Sequence, residues 1–274
     1  MKRSGRRILR GMRCVRHLAL LIAVAAPLAL PAAASSHKGR PICDGKRATI
    51  VGTDGEDHIT GSKAGDVIVT GGGNDVIHSL GGNDTICAGE GADAVYGGTG
   101  SDTIFAEGGI DLVDGETGNE YIDGGSGDDR LEENEGDGTI KGGAGNDTIT
   151  GIRGIDTLEG GSGNDHIAGG IGFDTLRGDS GNDMILPEKG DDSVDGGPGS
   201  DTVDYTTEPA GVVIDLAKRE SLKSAGHDSL LSIENATGSR FADKLIGDSG
   251  ANVLIGGPGQ DKLVGGGGHD TLKQ

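Results

Sequence analysis

Residues 52–105 divide into six blocks of nine: GTDGEDHIT, GSKAGDVIV, TGGGNDVIH, SLGGNDTIC, AGEGADAVY and GGTGSDTIF. The division runs on without insertion or deletion to residue 204, which makes seventeen blocks. Four more fill 238–273: GSRFADKLI, GDSGANVLI, GGPGQDKLV and GGGGHDTLK. Position four is Gly in 19 of the 21 blocks, position six is Asp in 18, and position eight is Ile, Leu or Val in all 21. Three residue requirements held in phase over 153 residues do not describe a disordered Gly-rich chain. Collagen is excluded as well, because Gly does not recur at every third position.

Composition agrees. Glycine supplies 56 of the 274 residues, aromatics are 2% and Trp is absent. A layered enzyme domain needs larger apolar side chains to offset chain entropy. What remains is a repeat solenoid with one aliphatic residue per block. Glycines at positions one, two and four are expected where the backbone turns with φ > 0. Positions seven to nine form a short strand, whose alternation turns position eight inward and its neighbours outward.

The consensus G-G-x-G-x-D-x-U-x, with U aliphatic, resembles the RTX (repeats-in-toxin, hemolysin-type) calcium-binding family, and the resemblance covers 189 residues. It implies an all-β fold, a parallel β-roll. In this right-handed solenoid of Gly/Asp-rich nonapeptides, two blocks make one turn and odd and even blocks build two facing parallel sheets. It also implies multiple Ca²⁺ ions, each between one loop and the loop two blocks later, with one Asp from each. Calcium takes six to eight oxygens, and carboxylates beside exposed loop carbonyls are suitable donors. A core of one aliphatic side chain per nine residues is too small by itself, so a cation is expected to hold the folded state together.

That arrangement sorts position six into two columns. The odd column is Asp57, Asp75, Asp93, Asp111, Asp129, Asp147, Asp165, Asp183 and Asp201, without a break. The even column is Asp66, Asp84, Asp102, Glu120, Gly138, Asp156, Asp174 and Asp192. A continuous file of up to eight ions is expected on the odd edge. On the even edge a gap is expected around Glu120 and Gly138, with Asp137 a candidate to reach into it. In the C-terminal blocks Asp243 pairs with Asp261, and Asn252 with Asp270.

On the outer face, position nine of the even blocks alternates in sign: Asp123, Lys141, Glu159, Arg177, Asp195. Position seven beside it reads Thr85, Thr103, Tyr121, Thr139, Thr157, Thr175, Ser193. A Thr ladder suits ice or glycan binding, but the charged column next to it argues against that use.

The first 34 residues read as a signal peptide. Seven basic residues precede the apolar run Leu18–Leu30, and Ala32-Ala33-Ala34 offers a cleavage site before Ser35. A secreted, extracellular protein of about 240 residues is expected, with Sec and Tat export both open. The rest of the chain carries 17 basic and 44 acidic residues. This balance repels nucleic acid and anionic membranes, so neither nucleic-acid binding nor membrane insertion is expected. Cys43 and Cys87 either pair or stay free.

Residues 35–51 read as a cap, its last nine (CDGKRATIV) a degenerate block with Ala48 where Asp belongs. Residues 205–237 interrupt the array as a hairpin-like insert, with strands expected at Gly211–Leu216 and His227–Ala236. Residues 52–204 are then the main roll and 238–274 the C-terminal repeats. No His precedes a Glu, so H-E-x-x-H is absent, and no G-x-S-x-G occurs. Toxin relatives usually carry an uncleaved C-terminal export signal, whereas this chain has an N-terminal one. A non-catalytic structural, adhesion or matrix role is therefore expected, with a cell-surface or matrix component as partner. The alternatives are an extracellular enzyme using Glu208, Asp215 or His227 of the insert, and a surface-binding module using a sheet face.

Overall fold

The computed structural model describes residues 39–224 and 226–274, so the signal-peptide reading of 1–34 lies outside the described residues. Every element among them is a strand; none is a helix, and so none crosses a membrane as one. The strands form two long sheets and one two-stranded ribbon. Strands of odd blocks, from His58–Thr60 to Thr271–Lys273, build a twelve-stranded sheet. Even blocks, with the first three strands of the insert, build a fourteen-stranded one. Outside the insert, neighbours in each sheet are eighteen residues apart and parallel, as in Ile122↔Ile140↔Leu158↔Leu176. The chain is thus the expected all-β parallel β-roll, with two blocks to a turn.

The core is the column of position-eight side chains. From Ile68 to Leu254 these aliphatic residues are buried, while Leu272 on the last coil is 47% exposed because no further coil covers it. The strands are not all three residues long. In the even sheet most of them run to six, as in Thr139–Ala144, because residues two and three of the next block keep parallel partners.

Glycine has two different jobs in the turns. Positions two and four have φ > 0, as at Gly143 (φ 106°) and Gly145 (φ 144°). Position one does not. A Cβ on Gly142 would instead lie 2.3 Å from Asp147 Oδ2 and 2.5 Å from the Gly160 carbonyl oxygen. Position one is therefore small because the loop is crowded with oxygen, not because of backbone conformation.

The N-terminal segment is tied to the roll by a Cys43–Cys87 disulfide. Within 205–237 three strands, Val213–Asp215, Glu220–Lys223 and Gly226–Leu231, form an antiparallel meander spliced into the even sheet. Its outer strands pair in parallel with Lys244–Ile246 on one side and Ser193–Asp195 on the other. The strand expected over His227–Ala236 is divided. Its first part joins the even sheet, and Asn235–Thr237 joins the odd one, because the chain turns at Ser232 (φ 52°) and crosses between sheets.

Candidate metal centre

Each turn places its position-six carboxylate against the coil before it. On the odd edge the backbone N–H of Asp57 donates to Asp75 Oδ1, and the same rung repeats through Asp93, Asp111, Asp129, Asp147, Asp165, Asp183 and Asp201 at 2.8–2.9 Å. On the even edge the rungs Asp66–Asp84–Asp102 and Gly138–Asp156–Asp174–Asp192 are made at 2.7–3.0 Å. Further along, Asp243 N–H donates to Asp261 and Asn252 N–H to Asp270.

These rungs use Oδ1 only. Oδ2 of Asp75, Asp84, Asp93, Asp102, Asp111, Asp129, Asp147, Asp156, Asp165, Asp174, Asp183, Asp201 and Asp261 is buried and has no hydrogen-bond partner. All of these residues except Asp261 are at most 2% exposed. An unpartnered buried carboxylate oxygen is costly unless something positive meets it. The surroundings offer more oxygen. At Gly124, Gly142, Gly151, Gly160 and Gly178 a Cβ would lie within 2.3–2.7 Å of both an Asp Oδ2 and the carbonyl oxygen of a glycine eighteen residues on. Carboxylate and carbonyl oxygens around a space that only glycine leaves open are a donor set suited to a hard divalent cation. Among the described residues no group of three or more His, Cys, Asp or Glu side chains converges, so any such site depends on backbone carbonyls.

The electrostatics point the same way. Burial pushes Asp111, Asp156 and Asp174 up to about 7, and Asp102, Asp129, Asp165, Asp192 and Asp201 to about 6. The backbone N–H of each rung pulls back against that rise, and neighbouring carboxylates in the column add to it for most of them.

The ends of the file differ. Asp57, Asp66 and Asp243 lean on their own turns, where Thr53, Ser62 and Ser239 each donate both a backbone N–H and a hydroxyl to the carboxylate. These three have Ser or Thr at position two in place of Gly. Asp270 stands on the last coil.

Two residues of the insert carry the columns across it. Asp192 N–H donates to Asp228 Oδ1 at 3.0 Å, and Asp201 N–H to Glu234 Oε2 at 2.9 Å. The sequence held a signal for the first: residues 223–231 (KSAGHDSLL) keep the phase of the main array, with Gly226 at position four, Asp228 at six and Leu230 at eight. The block opens on Lys223 where Gly is usual, which hides it. The Lys223 ammonium lies 3.0 Å from both Asp192 Oδ2 and Asp228 Oδ1, fully buried, and donates to the Glu188 carbonyl. Tyr205 hydroxyl and Ser221 hydroxyl donate to Asp228 Oδ2 at 2.7 and 2.8 Å, and the Tyr205 ring faces the ammonium at 5.7 Å.

Asp137 does not reach inward. Its Oδ1 accepts from Ile155 N–H in a second, exposed ladder of position-five side chains that also uses Asn119, Asp128, Asn146, Asn164 and Asn182. The insert's three enzyme candidates are not gathered either. Glu208 is met by Ser224, Asp215 by Lys218 and His227 by Glu220.

A family model described as RTX calcium-binding nonapeptide repeat (4 copies) matches residues 47–64, 60–95, 96–131, 134–154, 150–185, 188–205 and 237–272. No curated protein matches the chain. Among solved structures, a hyperactive, Ca²⁺-dependent, β-helical antifreeze protein from an Antarctic bacterium is similar at 19% identity and a TM-score of 0.35. The match covers 81% of this chain and 80% of that one.

Proposed function

The chain belongs to the RTX calcium-binding nonapeptide repeat family, and from that premise we propose that it is a secreted, non-catalytic scaffold whose coils fold when they meet extracellular calcium. The role is structural, in adhesion or a matrix. The observation that carries this reading is the file of thirteen buried Asp Oδ2 atoms without partners, repeated every eighteen residues along two edges.

The residues have separable tasks. Position-six Oδ1 fixes the register of successive turns through the backbone rung. Oδ2 and the loop carbonyls face the space that a cation would share between coils. Bound calcium supplies the positive charge that these carboxylates otherwise lack. Binding to the folded chain and not to the unfolded one converts ion affinity into folding free energy. In a compartment poor in calcium the same carboxylates oppose folding, which suits a chain that crosses a membrane before it folds. The basic and apolar start of the sequence supports that route.

Far-UV circular dichroism of the purified chain, titrated with CaCl₂ and then EGTA, tests the reading. Coil without calcium and β-structure with it, reversibly, is the expected result. A chelated sample with undiminished β signal and melting profile would refute it.

A further inference from the structure

The even column loses its carboxylate at Gly138, yet the space is filled. A Cβ at Gly138 would lie 2.1 Å from Glu133 Oε2, 2.3 Å from Glu133 Cδ and 2.8 Å from Oε1. Glu133 opens its block at position one, where the array normally has a small residue, and its carboxyl stands where an Asp at 138 would begin. The backbone N–H of Glu120 faces that carboxyl, as the N–H of each Asp faces the carboxylate eighteen residues on.

Glu120 sits in the place of the column's Asp residues. Its carboxyl spans its own turn between Gly115 and Gly118, as that of Asp156 spans the turn between Gly151 and Gly154. The two glutamates therefore face one coil interval from opposite sides. Glu120 is 2% exposed and Glu133 fully buried, no donor meets any of their four carboxyl oxygens in full hydrogen-bond geometry, and the two carboxyls lie within hydrogen-bonding reach of each other. Among the described residues no Lys or Arg forms an ion pair with either.

We infer that Glu120 and Glu133 form a divalent-cation site of the calcium class, which keeps the even file continuous across the interval where the repeat pattern lapses. Two carboxylates match a doubly charged ion, and their four oxygens beside loop carbonyls approach the number calcium takes. Glu133 and Gly138 then form a compensating pair: the carboxylate has moved from position six to position one of the same block. The inference rests on the calcium reading of the array as a whole.

The test counts ions on the full chain by native mass spectrometry at saturating calcium. Glu120→Gln/Glu133→Gln should bind one Ca²⁺ fewer than the parent. The exchange of positions is sharper. Glu133→Gly should lose the ion. Gly138→Asp alone should destabilise the calcium-loaded chain, because its Cβ meets the Glu133 carboxyl. Glu133→Gly/Gly138→Asp restores the consensus and should recover both the ion and the stability. This double variant keeps the test decisive even where a single variant fails to fold. An unchanged count in the Gln pair, as expected if the two carboxyls merely share a proton, would overturn the inference. So would a double variant that does not regain the ion. A parent chain that binds no calcium would instead sink the calcium reading of the array, a separate result.

Discussion

Two rungs of the ladder share a backbone pattern and differ in one side chain. Between Asp147 and Asp165 the position-one residue of the later block is Gly160, and Asp147 Oδ2 is buried without a partner. Between Asp192 and Asp228 the position-one residue of the later block is Lys223, and its ammonium lies 3.0 Å from an oxygen of each carboxylate. The first rung is open and has to obtain positive charge from solution. The second carries its own. Position one is thus the place from which a side chain reaches the space between coils: glycine leaves it open, Lys223 closes it with a cation, and Glu133 lines it with a carboxylate. The insert that breaks the repeat also holds the one rung balanced by a lysine among the described residues.

The largest effect is expected from opening the closed rung. Lys223→Gly leaves Asp192 and Asp228 buried together with no counter-charge. Removing one partner from a buried ion pair costs about 3–5 kcal/mol. At a calcium level just sufficient to fold the parent, Lys223→Gly should therefore be markedly less stable than the parent. In saturating calcium much of the loss should return, since the rung now resembles Asp147–Asp165. Urea melts at limiting and at saturating calcium measure both halves. Equal destabilisation under the two conditions would show that Lys223 packs rather than substitutes for an ion.

A smaller effect follows from protons, which can quiet the open rungs without metal. The folded-state values of Asp111, Asp156 and Asp174 are raised from 3.8 to about 7, and those of Asp102, Asp129 and Asp165 to about 6, with burial the main cause. A raised carboxylate binds its proton more tightly folded than unfolded. The stability it adds is fully present below the unfolded value near 4 and is lost as pH rises through 6 to 7. The metal-free chain should accordingly gain β-structure as pH is lowered from about 8 to about 5, the reverse of ordinary acid denaturation. Calcium binding at pH 6 should release protons, and should release fewer at pH 8. Circular dichroism in chelator and calorimetry in two buffers of different ionisation enthalpy check the sign. A metal-free chain that unfolds further on mild acidification would remove the distinction between open and closed rungs.

The nine-residue phase made the roll and the two Asp columns legible, because each position of the block has one physical task repeated many times. Single residues that depart from the pattern and act across it are not legible in this way. Glu133 and Lys223 stand at position one, where the sequence pattern gives glycine the role of a turn-former and gives a larger side chain none. Only the crowding of oxygen around Gly142 shows that position one borders the space between coils. Asp228 keeps the phase of the main array but lies inside the insert. Glu234 belongs to a shortened turn with no full block to reveal it. Asp137, the candidate for the gap, is engaged in the position-five ladder, whose Asn and Asp residues recur at that position in successive blocks.

The smallest effect belongs to charge pairs outside the file. Lys141, Glu159 and Arg177 stand in register on neighbouring strands of the even sheet, and Glu159 meets the other two at 3.1 and 2.9 Å. On paper this is the same motif as Asp192–Lys223–Asp228 with the signs reversed: one charge between two opposite ones. The difference is water. Lys141 and Arg177 are 42% and 51% exposed at the side chain, whereas Lys223 is fully buried. Solvent already screens the outer charges, and holding long side chains in place offsets most of what remains. Arg177→Ala should therefore leave the melting temperature of the calcium-loaded chain unchanged within experimental error, and added salt should not separate it from the parent. A loss comparable to that of Lys223→Gly would mean that the alternating column, and not burial of an internal cation, sets the strength of such triads in this roll.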